Sequence, residues 1–134
     1  MSAPAPCVLV VDDNAVNRAL VDAVLRSDGW EVVQAESGAL GVEAALRERP
    51  AVVVLDYHMP GLDGGDVVRR LSERLGDRAP ATLLVTALSE DEARARAGDC
   101  GASAWLSKPF APRALREKVR ELASRGLDAG ERAA

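Results

Sequence analysis

Short aliphatic runs alternate with longer amphipathic segments along this chain of 134 residues. Three runs, at residues 7–11, 51–55 and 81–85, are continuously apolar, which is typical of strands buried on both faces of a parallel sheet. Two weaker runs, at 30–33 and 104–106, predict two further strands. Parallel strands need crossover connections, so the segments between the runs are expected to be helices.

Five helices are expected, because each segment that follows a run carries apolar residues at helical spacing or a recognisable start or stop signal. Their markers, in chain order, are Leu20 with Leu25, Ser37 with Leu46, Val67 with Leu71, the acid-rich start after Ser89, and Leu115 with Leu122. The strand–helix order, repeated five times, predicts one doubly wound α/β domain with helices on both faces of an open parallel sheet.

Composition supports one globular domain. The chain is 48% hydrophobic and 28% charged, it has no apolar run of about 18 residues, and its N-terminus shows no secretory signal. Two cysteines are too few for a disulfide framework and favour a cytoplasmic location. A net charge of −4 argues against direct nucleic-acid binding. We expect an N-terminal extension at 1–5, the domain at 6–124 and a disordered tail at 125–134.

Polar residues follow four of the five runs, at the edge where open α/β sheets bind ligands. They are Asp12 and Asp13 after the first run, Asp56 after the third, Thr86 after the fourth and Lys108 after the fifth. Each of them alone has an ordinary explanation as a turn or solvated residue. Their joint placement at one edge predicts a functional site.

The chemistry of this edge follows from its charges. Three neighbouring carboxylates repel one another unless a cation compensates, and oxygen ligands without His or Cys select Mg²⁺, with Mn²⁺ as a substitute. A lysine adds a second positive charge, which suits a phosphoryl group during transfer. One carboxylate can then act as the nucleophile and form an aspartyl phosphate. The first strand is not followed by a glycine-rich phosphate loop, so nucleotide binding is not expected.

Four segments in this order identify a family resemblance: Val10-Val11-Asp12-Asp13-Asn14, residues 55–64, Val85-Thr86-Ala87 and Lys108-Pro109-Phe110. Over about residues 6–124 the chain resembles the receiver domain of two-component response regulators, the CheY-like group. The resemblance implies a flavodoxin-like sheet with strand order 2-1-3-4-5, and it implies a cis peptide bond at Pro109.

The resemblance also implies roles for the residues at the edge. Asp56 is the expected phosphoacceptor, and it takes the phosphoryl group from a sensor histidine kinase or a histidine phosphotransfer protein. Asp12 and Asp13 are expected to hold Mg²⁺ together with Asp56 and the backbone carbonyl of His58. Thr86 and Lys108 are expected to contact the phosphoryl group.

Further positions are assigned by the same resemblance. Thr86 and Trp105 are the expected switch residues, although the family usually has Tyr or Phe where this chain has Trp105, which leaves the size of the aromatic movement open. His58 and Leu88 lie two places beyond Asp56 and Thr86 and are expected to tune dephosphorylation. The switch is expected to act on the face of the fourth helix, fifth strand and fifth helix, which binds an unidentified downstream protein. The fourth helix offers only alanines for apolar packing, which predicts a loosely held element.

Other interpretations of the sequence remain open at this point. The chain is expected to catalyse only its own phosphorylation and dephosphorylation. It is also expected to be a monomer or weak dimer that does not bind membranes. It can instead be the receiver of a hybrid sensor histidine kinase, since the opening Asp12 to Arg18 is common there. A phosphatase with an aspartate nucleophile is a second alternative, but it needs an acid where this chain has His58. A binding module that is not phosphorylated is a third, but the complete set of polar residues at the strand ends argues against it.

Overall fold

Strands and helices alternate through the computed structural model, which describes the backbone of residues 6–133 and the side chains of residues 6–125. The strands are β1 (Cys7–Val11), β2 (Glu31–Ala35), β3 (Val52–Asp56), β4 (Ala81–Thr86) and β5 (Ala104–Ser107). The helices are α1 (Ala15–Ser27), α2 (Gly38–Glu48), α3 (Gly64–Leu75), α4 (Glu90–Cys100) and α5 (Pro112–Ala133), with a short 3₁₀ turn at Gly76–Arg78.

All five strands are parallel and lie in the order β2-β1-β3-β4-β5, so the predicted doubly wound, flavodoxin-like sheet is confirmed. β1 pairs with β2 on one side and with β3 on the other, and Val11 lies opposite both Ala35 and Leu55. The chain therefore changes direction across the sheet at β1. The crevice of such a fold lies at the carboxyl ends of the strands next to this point.

Both faces of the sheet are buried, which explains why the aliphatic runs do not alternate with polar residues. One apolar layer joins alternate strand residues to α2, α3 and α4; its sheet members include Leu9, Val11, Val53, Leu55 and Leu84. The other layer joins the remaining strand residues to α1 and α5; its sheet members include Val8, Val10, Val54, Leu83 and Val85. Almost every residue of the central strands is thus committed to packing, and only the strand ends are free to carry polar chemistry.

Side-chain caps start the helices close to where the sequence predicts them. The Ser37 hydroxyl accepts a hydrogen bond from the Leu40 N–H at the start of α2, and the Ser89 hydroxyl accepts one from the Glu92 N–H at the start of α4. At the start of α3, Asp63 and Asp66 form a reciprocal capping box. These caps fix where each loop of the site ends.

Two boundaries differ notably from the sequence-based expectation. β2 begins at Glu31 rather than Trp30, because the Trp30 N–H is used in a hydrogen bond to the carbonyl of Leu25 at the end of α1. Helix α5 continues past residue 124 to Ala133, where a disordered tail was expected. Side chains after Arg125 and all of residues 1–5 lie outside the described part of the chain, so the division into extension, domain and tail stays a prediction.

Within the helices that the structure describes, none is both long enough and apolar enough to cross a membrane.

An ion pair joins the C-terminal end of α1 to the middle of α5, far from the strands' carboxyl edge. Asp28, the C-cap of α1, accepts two hydrogen bonds from the Arg120 guanidinium of α5, one of them with 2.8 Å between Nε and Oδ2. These hydrogen bonds from Arg120 hold the pKa of Asp28 below its usual range. The guanidinium is exposed, whereas the carboxylate is nearly buried.

This pair predicts an acid-dependent loss of stability. A carboxyl with a depressed native pKa stabilises the fold above its unfolded-state pKa of about 3.9, and this stabilisation is lost as the pH falls through the native value. Asp28→Asn should therefore lower the urea midpoint at pH 7, and its difference from wild type should shrink at pH 3. Glu73→Gln, which changes an exposed carboxylate without a described ion pair, is the control. An Asp28→Asn deficit that is equal at both pH values would contradict the assignment.

Candidate functional site

Three carboxylates predicted from the strand ends meet at the carboxyl edge of the sheet. One oxygen from each of Asp12, Asp13 and Asp56 lies within 4.8 Å of the other two. The proximity follows from the pairing of β1 with β3, which places the residues that follow Val11 beside the end of β3. Asp12 is buried and Asp13 is exposed, while the side chain of Asp56 is 12% exposed. The cluster therefore opens to solvent on one side.

The backbone around Asp12 is firmly held. Its N–H donates to the carbonyl of Ala35, and its carbonyl accepts a hydrogen bond from the Arg18 guanidinium at 2.7 Å. Its carboxylate Oδ1 accepts a hydrogen bond from the Asn14 N–H at 2.9 Å. The second carboxylate oxygen of Asp12 has no partner among the described residues, so it is available to a ligand.

Lys108 reaches the cluster from the end of β5. Its Nζ lies 3.6 Å from Oδ1 of Asp56, which is an ion-pair distance but too long for a direct hydrogen bond of normal length. Its N–H donates to the carbonyl of Thr86 at 2.7 Å, and the Lys108–Pro109 peptide bond is cis, as predicted. The lysine is thus placed by its own backbone at ion-pair distance from the carboxylate.

The cluster carries more negative charge than its neighbours neutralise. Burial raises the pKa of Asp56, and the carboxylates of Asp12 and Asp13 raise it further. The ammonium of Lys108 and the His58 backbone N–H act in the opposite direction, but the pKa of Asp56 stays above its usual value. A site of three carboxylates and one ammonium favours an added cation, and a set of oxygen ligands alone fits a hard divalent ion.

Thr86 lies beside the cluster with its hydroxyl turned to its own loop. The side chain is almost completely buried, and Oγ1 accepts a hydrogen bond from the Leu88 N–H at 3.1 Å. Ser107 pairs with Thr86 across β4 and β5, and its buried Oγ has no hydrogen-bond partner among the described atoms. Sequence reasoning did not select Ser107, although a hydroxyl directly before the site lysine was a signal that could have found it.

Arginines of α4 cover two aromatic rings near the site. The Arg94 guanidinium carbon lies 5.5 Å from the centre of the Trp105 ring, and that of Arg96 lies 5.7 Å from the centre of the Tyr57 ring. Such distances are those of cation–π contacts. The sequence analysis did not predict these two contacts, because a charged residue on a helix gives no local sign that it lies over an aromatic ring.

As expected, α4 packs through small apolar side chains, but they are not all alanines. Ala93 and Ala97 are buried, Ala95 is exposed, and Cys100 completes the buried face. All three buried side chains are short. The helix is therefore packed over little apolar area, and its arginine–aromatic contacts carry a larger share of its attachment.

The remaining predicted positions lie at the rim of the site. His58 is exposed, and its ring meets Tyr57 edge to face at 5.0 Å between ring centres. Leu88 is partly exposed on the loop after β4. A β-carbon on Gly64 would lie 2.8 Å from the backbone oxygen of Asp56, so glycine is required where α3 approaches the end of β3.

An apolar cleft of about 580 Å³ adjoins the cluster on the opposite side from α4. It lies between α1 and the start of α5, and Asp12, Asp56 and Lys108 stand at its polar end. Sequence patterns did not indicate this cleft, because it depends on the spacing between two helices that are far apart in the chain.

A family comparison agrees with this geometry. The sequence profile described as "Response regulator receiver domain" matches residues 8–120 of the chain, and this match covers all four strand ends of the site. The chain belongs to the response regulator receiver family. The resemblance inferred from its motifs is confirmed.

Individual relatives support the same family. The probable transcriptional regulatory protein TcrX of Mycobacterium tuberculosis is 36% identical over 118 residues, which cover 88% of this chain and 50% of that protein. This receiver thus spans half the length of that curated relative.

Two solved structures share the fold. The Vibrio cholerae chemotaxis protein CheY4 is similar with a TM-score of 0.82 and 28% identity, over 89% of this chain and 99% of that one. The receiver domain of a signal transduction histidine kinase from Syntrophus aciditrophicus is similar with a TM-score of 0.81 and 27% identity, over 90% and 91% of the chains.

Receiver domains serve two-component signalling with histidine kinases or phosphotransfer proteins and act mostly in signalling rather than catalysis. They bind Mg²⁺ through acidic residues, and the acidic cluster of this receiver is of that kind.

Proposed function

We propose that this receiver accepts a phosphoryl group on Asp56 from the phosphohistidine of a sensor histidine kinase or a histidine phosphotransfer protein. The observation that carries this proposal is the position of Asp56, between the carboxylates of Asp12 and Asp13 and the ammonium of Lys108 at 3.6 Å. A phosphoryl group on Asp56 would lie among positive charges once a cation is bound, which is what transfer of an anionic group requires.

Asp12, Asp13 and Asp56 would hold Mg²⁺, or Mn²⁺ in its place, together with the backbone carbonyl of His58. Three closely spaced carboxylate oxygens of differing exposure fit a hard cation that keeps part of its hydration shell. When bound, the ion supplies positive charge to the phosphoryl oxygens. The proximity of the three carboxylates, with one ammonium beside them, supports this role.

The protein's own groups perform the remaining steps. A carboxylate oxygen of Asp56 attacks phosphorus as the bond to the donor's histidine nitrogen breaks, which produces an aspartyl phosphate. The ammonium of Lys108, now paired with Asp56, pairs with a phosphoryl oxygen once Asp56 carries the phosphoryl group. Thr86 turns its hydroxyl from the Leu88 N–H to another phosphoryl oxygen.

This rotation would carry the signal to the face of α4, β5 and α5. Phosphorylation adds close to two negative charges at Asp56, and Thr86 leaves space on the side of the sheet where Trp105 packs. Since α4 is held by short side chains and by the Arg94–Trp105 contact, a modest shift of Trp105 suffices to change its position. A downstream protein would read this face.

The phosphoacceptor assignment predicts a specific mass change. Wild-type protein incubated with Mg²⁺ and acetyl phosphate should gain one phosphoryl group, because Asp56 is the carboxylate next to both the metal ligands and Lys108. Asp56→Asn and excess chelator should each abolish the gain in intact-mass spectra. Asp99→Asn, which alters an exposed aspartate near the end of α4, should behave as wild type. An equal gain in Asp56→Asn would refute the proposal.

Mass gain and phosphate release together separate the other classes of function. A binding module without phosphorylation would show no gain, and a phosphatase would release phosphate from stable monoesters such as p-nitrophenyl phosphate. The residue two places after Asp56 is the exposed His58, which supports the phosphoacceptor over the phosphatase. The similarity to a histidine kinase's receiver domain leaves the phosphoacceptor role unchanged, since that role depends only on the site.

The Arg94–Trp105 contact predicts a measurable anchor for α4. Arg94→Ala should speed hydrogen exchange of the α4 amides in the unphosphorylated protein by roughly two- to fivefold, since an exposed cation–π contact contributes about 0.5–1 kcal/mol. Arg94→Lys, which keeps a cation for both Asp91 and the Trp105 ring, should leave exchange close to wild type. If both variants exchanged alike, the ring contact would not hold the helix.

His58 and Leu88 predict control of the phosphoryl lifetime. Both side chains stand at the rim, so shortening both to alanine should admit water and shorten the half-life of phosphorylated Asp56, and interchanging them should also alter it. The decay is followed by intact mass after removal of the phosphodonor. Pro60→Ala, on the exposed loop after β3, is the control. Half-lives that match wild type in both variants would remove these residues from the mechanism.

A further inference from the structure

We propose that Arg18 is a positioning residue for the cation site. Its guanidinium holds the peptide unit between Asp12 and Asp13 in the orientation that lets both carboxylates reach one ion. The inference deepens the proposed function and rests on its cation site, which Asp12, Asp13 and Asp56 form. Arg18 is not a ligand of that site and acts only through the backbone of the residues that are.

Asp13 is the least constrained carboxylate of the cluster. It is exposed, and among the described residues its side chain takes part in no hydrogen bond or ion pair. By contrast, Oδ1 of Asp12 accepts a hydrogen bond from the Asn14 N–H at 2.9 Å. Asp56 is paired with Lys108. The side chain of Asp13 therefore keeps its place in the cluster only if the backbone that carries it is held.

Arg18 holds that backbone. The carbonyl oxygen of Asp12 belongs to the peptide unit from which Asp13 extends, and it accepts a hydrogen bond from Nη1 of Arg18 at 2.7 Å. The peptide unit on the other side of Asp12 is held by the hydrogen bond from its N–H to the carbonyl of Ala35. A charged donor makes a stronger hydrogen bond than a neutral one. Arg18 thus fixes the peptide plane on which the position of Asp13 depends.

A ladder of side chains between α1 and the edge strand β2 holds Arg18 in turn. Its Nε donates to Oε1 of Gln34 at 3.2 Å, and Nε2 of Gln34 donates to Oδ2 of Asp22 at 2.6 Å. Arg26 completes the ladder, since it donates to Oδ1 of Asp22 at 2.6 Å and to the carbonyl of Val32 at 2.9 Å. The three α1 residues are spaced four apart and so share one face of the helix. The guanidinium of Arg18 is therefore held by the ladder at Nε while Nη1 serves the site.

Positioning and simple electrostatics predict opposite effects of Arg18 on cation binding. A guanidinium near the cluster repels a divalent ion, so removal of its charge alone would strengthen Mg²⁺ binding. Removal of the hydrogen bond to the Asp12 carbonyl would instead weaken Mg²⁺ binding, because Asp13 would lose its orientation. The direction of the change therefore distinguishes the two roles.

The binding test is a calorimetric titration of the full chain with Mg²⁺. Arg18→Met keeps a long side chain but removes the donors and the charge, and it should raise the Kd roughly threefold to tenfold. Gln34→Ala leaves the charge of Arg18 in place and removes only its ladder partner, so it should raise the Kd by a smaller factor, roughly twofold. Arg70→Met removes the same charge from an exposed position of α3 and should retain the wild-type Kd.

A second measurement needs neither a cation nor a phosphodonor. The amide of Asp13 belongs to the peptide unit that Arg18 holds, so its NMR order parameter reports the proposed contact directly. In Mg²⁺-free Arg18→Met this order parameter should fall from the rigid value of about 0.85 towards the flexible value of about 0.6. The amides of Val53 and Val54 in β3 should stay rigid, which separates a local change from loss of the fold.

The outcomes separate this inference from the phosphoacceptor role. If Arg18→Met binds Mg²⁺ as tightly as wild type or more tightly, or leaves the Asp13 order parameter unchanged, the inference is overturned; a mass gain of wild type with acetyl phosphate then leaves the phosphoacceptor role standing. If both effects of Arg18→Met appear but Asp56 gains no phosphoryl group, the positioning role holds and the phosphoacceptor role fails. A wild-type protein that binds no Mg²⁺ would overturn the inference together with the cation site.

Discussion

Electrostatic repulsion at the carboxyl edge is the constraint on which this protein depends. The sheet holds oxygens of Asp12, Asp13 and Asp56 within 4.8 Å of one another, with the single ammonium of Lys108 at 3.6 Å from Asp56. Burial is the main cause of the raised pKa of Asp56; the carboxylates of Asp12 and Asp13 raise it further, and the ammonium of Lys108 opposes them. Two apolar layers on opposite faces of the sheet supply the stability that keeps the carboxylates together.

The two sides of the sheet serve this site in different ways. On one side, α4 presents only short buried side chains and is held partly by Arg94 over Trp105, so the helix that follows Thr86 is weakly packed. On the other side, α1 and α5 are joined by Asp28 and Arg120, away from the site, and an apolar cleft lies between them at the site. The two sides of the site are therefore packed differently.

Much of this organisation could be predicted because it depends on local patterns. Continuous aliphatic runs reveal strands buried on both faces, and the residue that ends each run then falls at the carboxyl edge in any right-handed parallel arrangement. The convergence of Asp12, Asp56, Thr86 and Lys108 follows from that rule alone. The start of β2 was misplaced because its boundary depends on a hydrogen bond from Trp30 back to α1, which no local pattern shows.

The sequence by itself determined the class of fold, the family and the set of polar residues at the strand ends, because these follow from periodicity, spacing and residue chemistry. Only the tertiary structure decided how these groups act on one another. The raised pKa of Asp56, the contact of Arg94 with Trp105 and the cleft between α1 and α5 all depend on distances between different elements of the fold. Burial and Coulomb interactions depend on those distances, and a sequence pattern does not contain them.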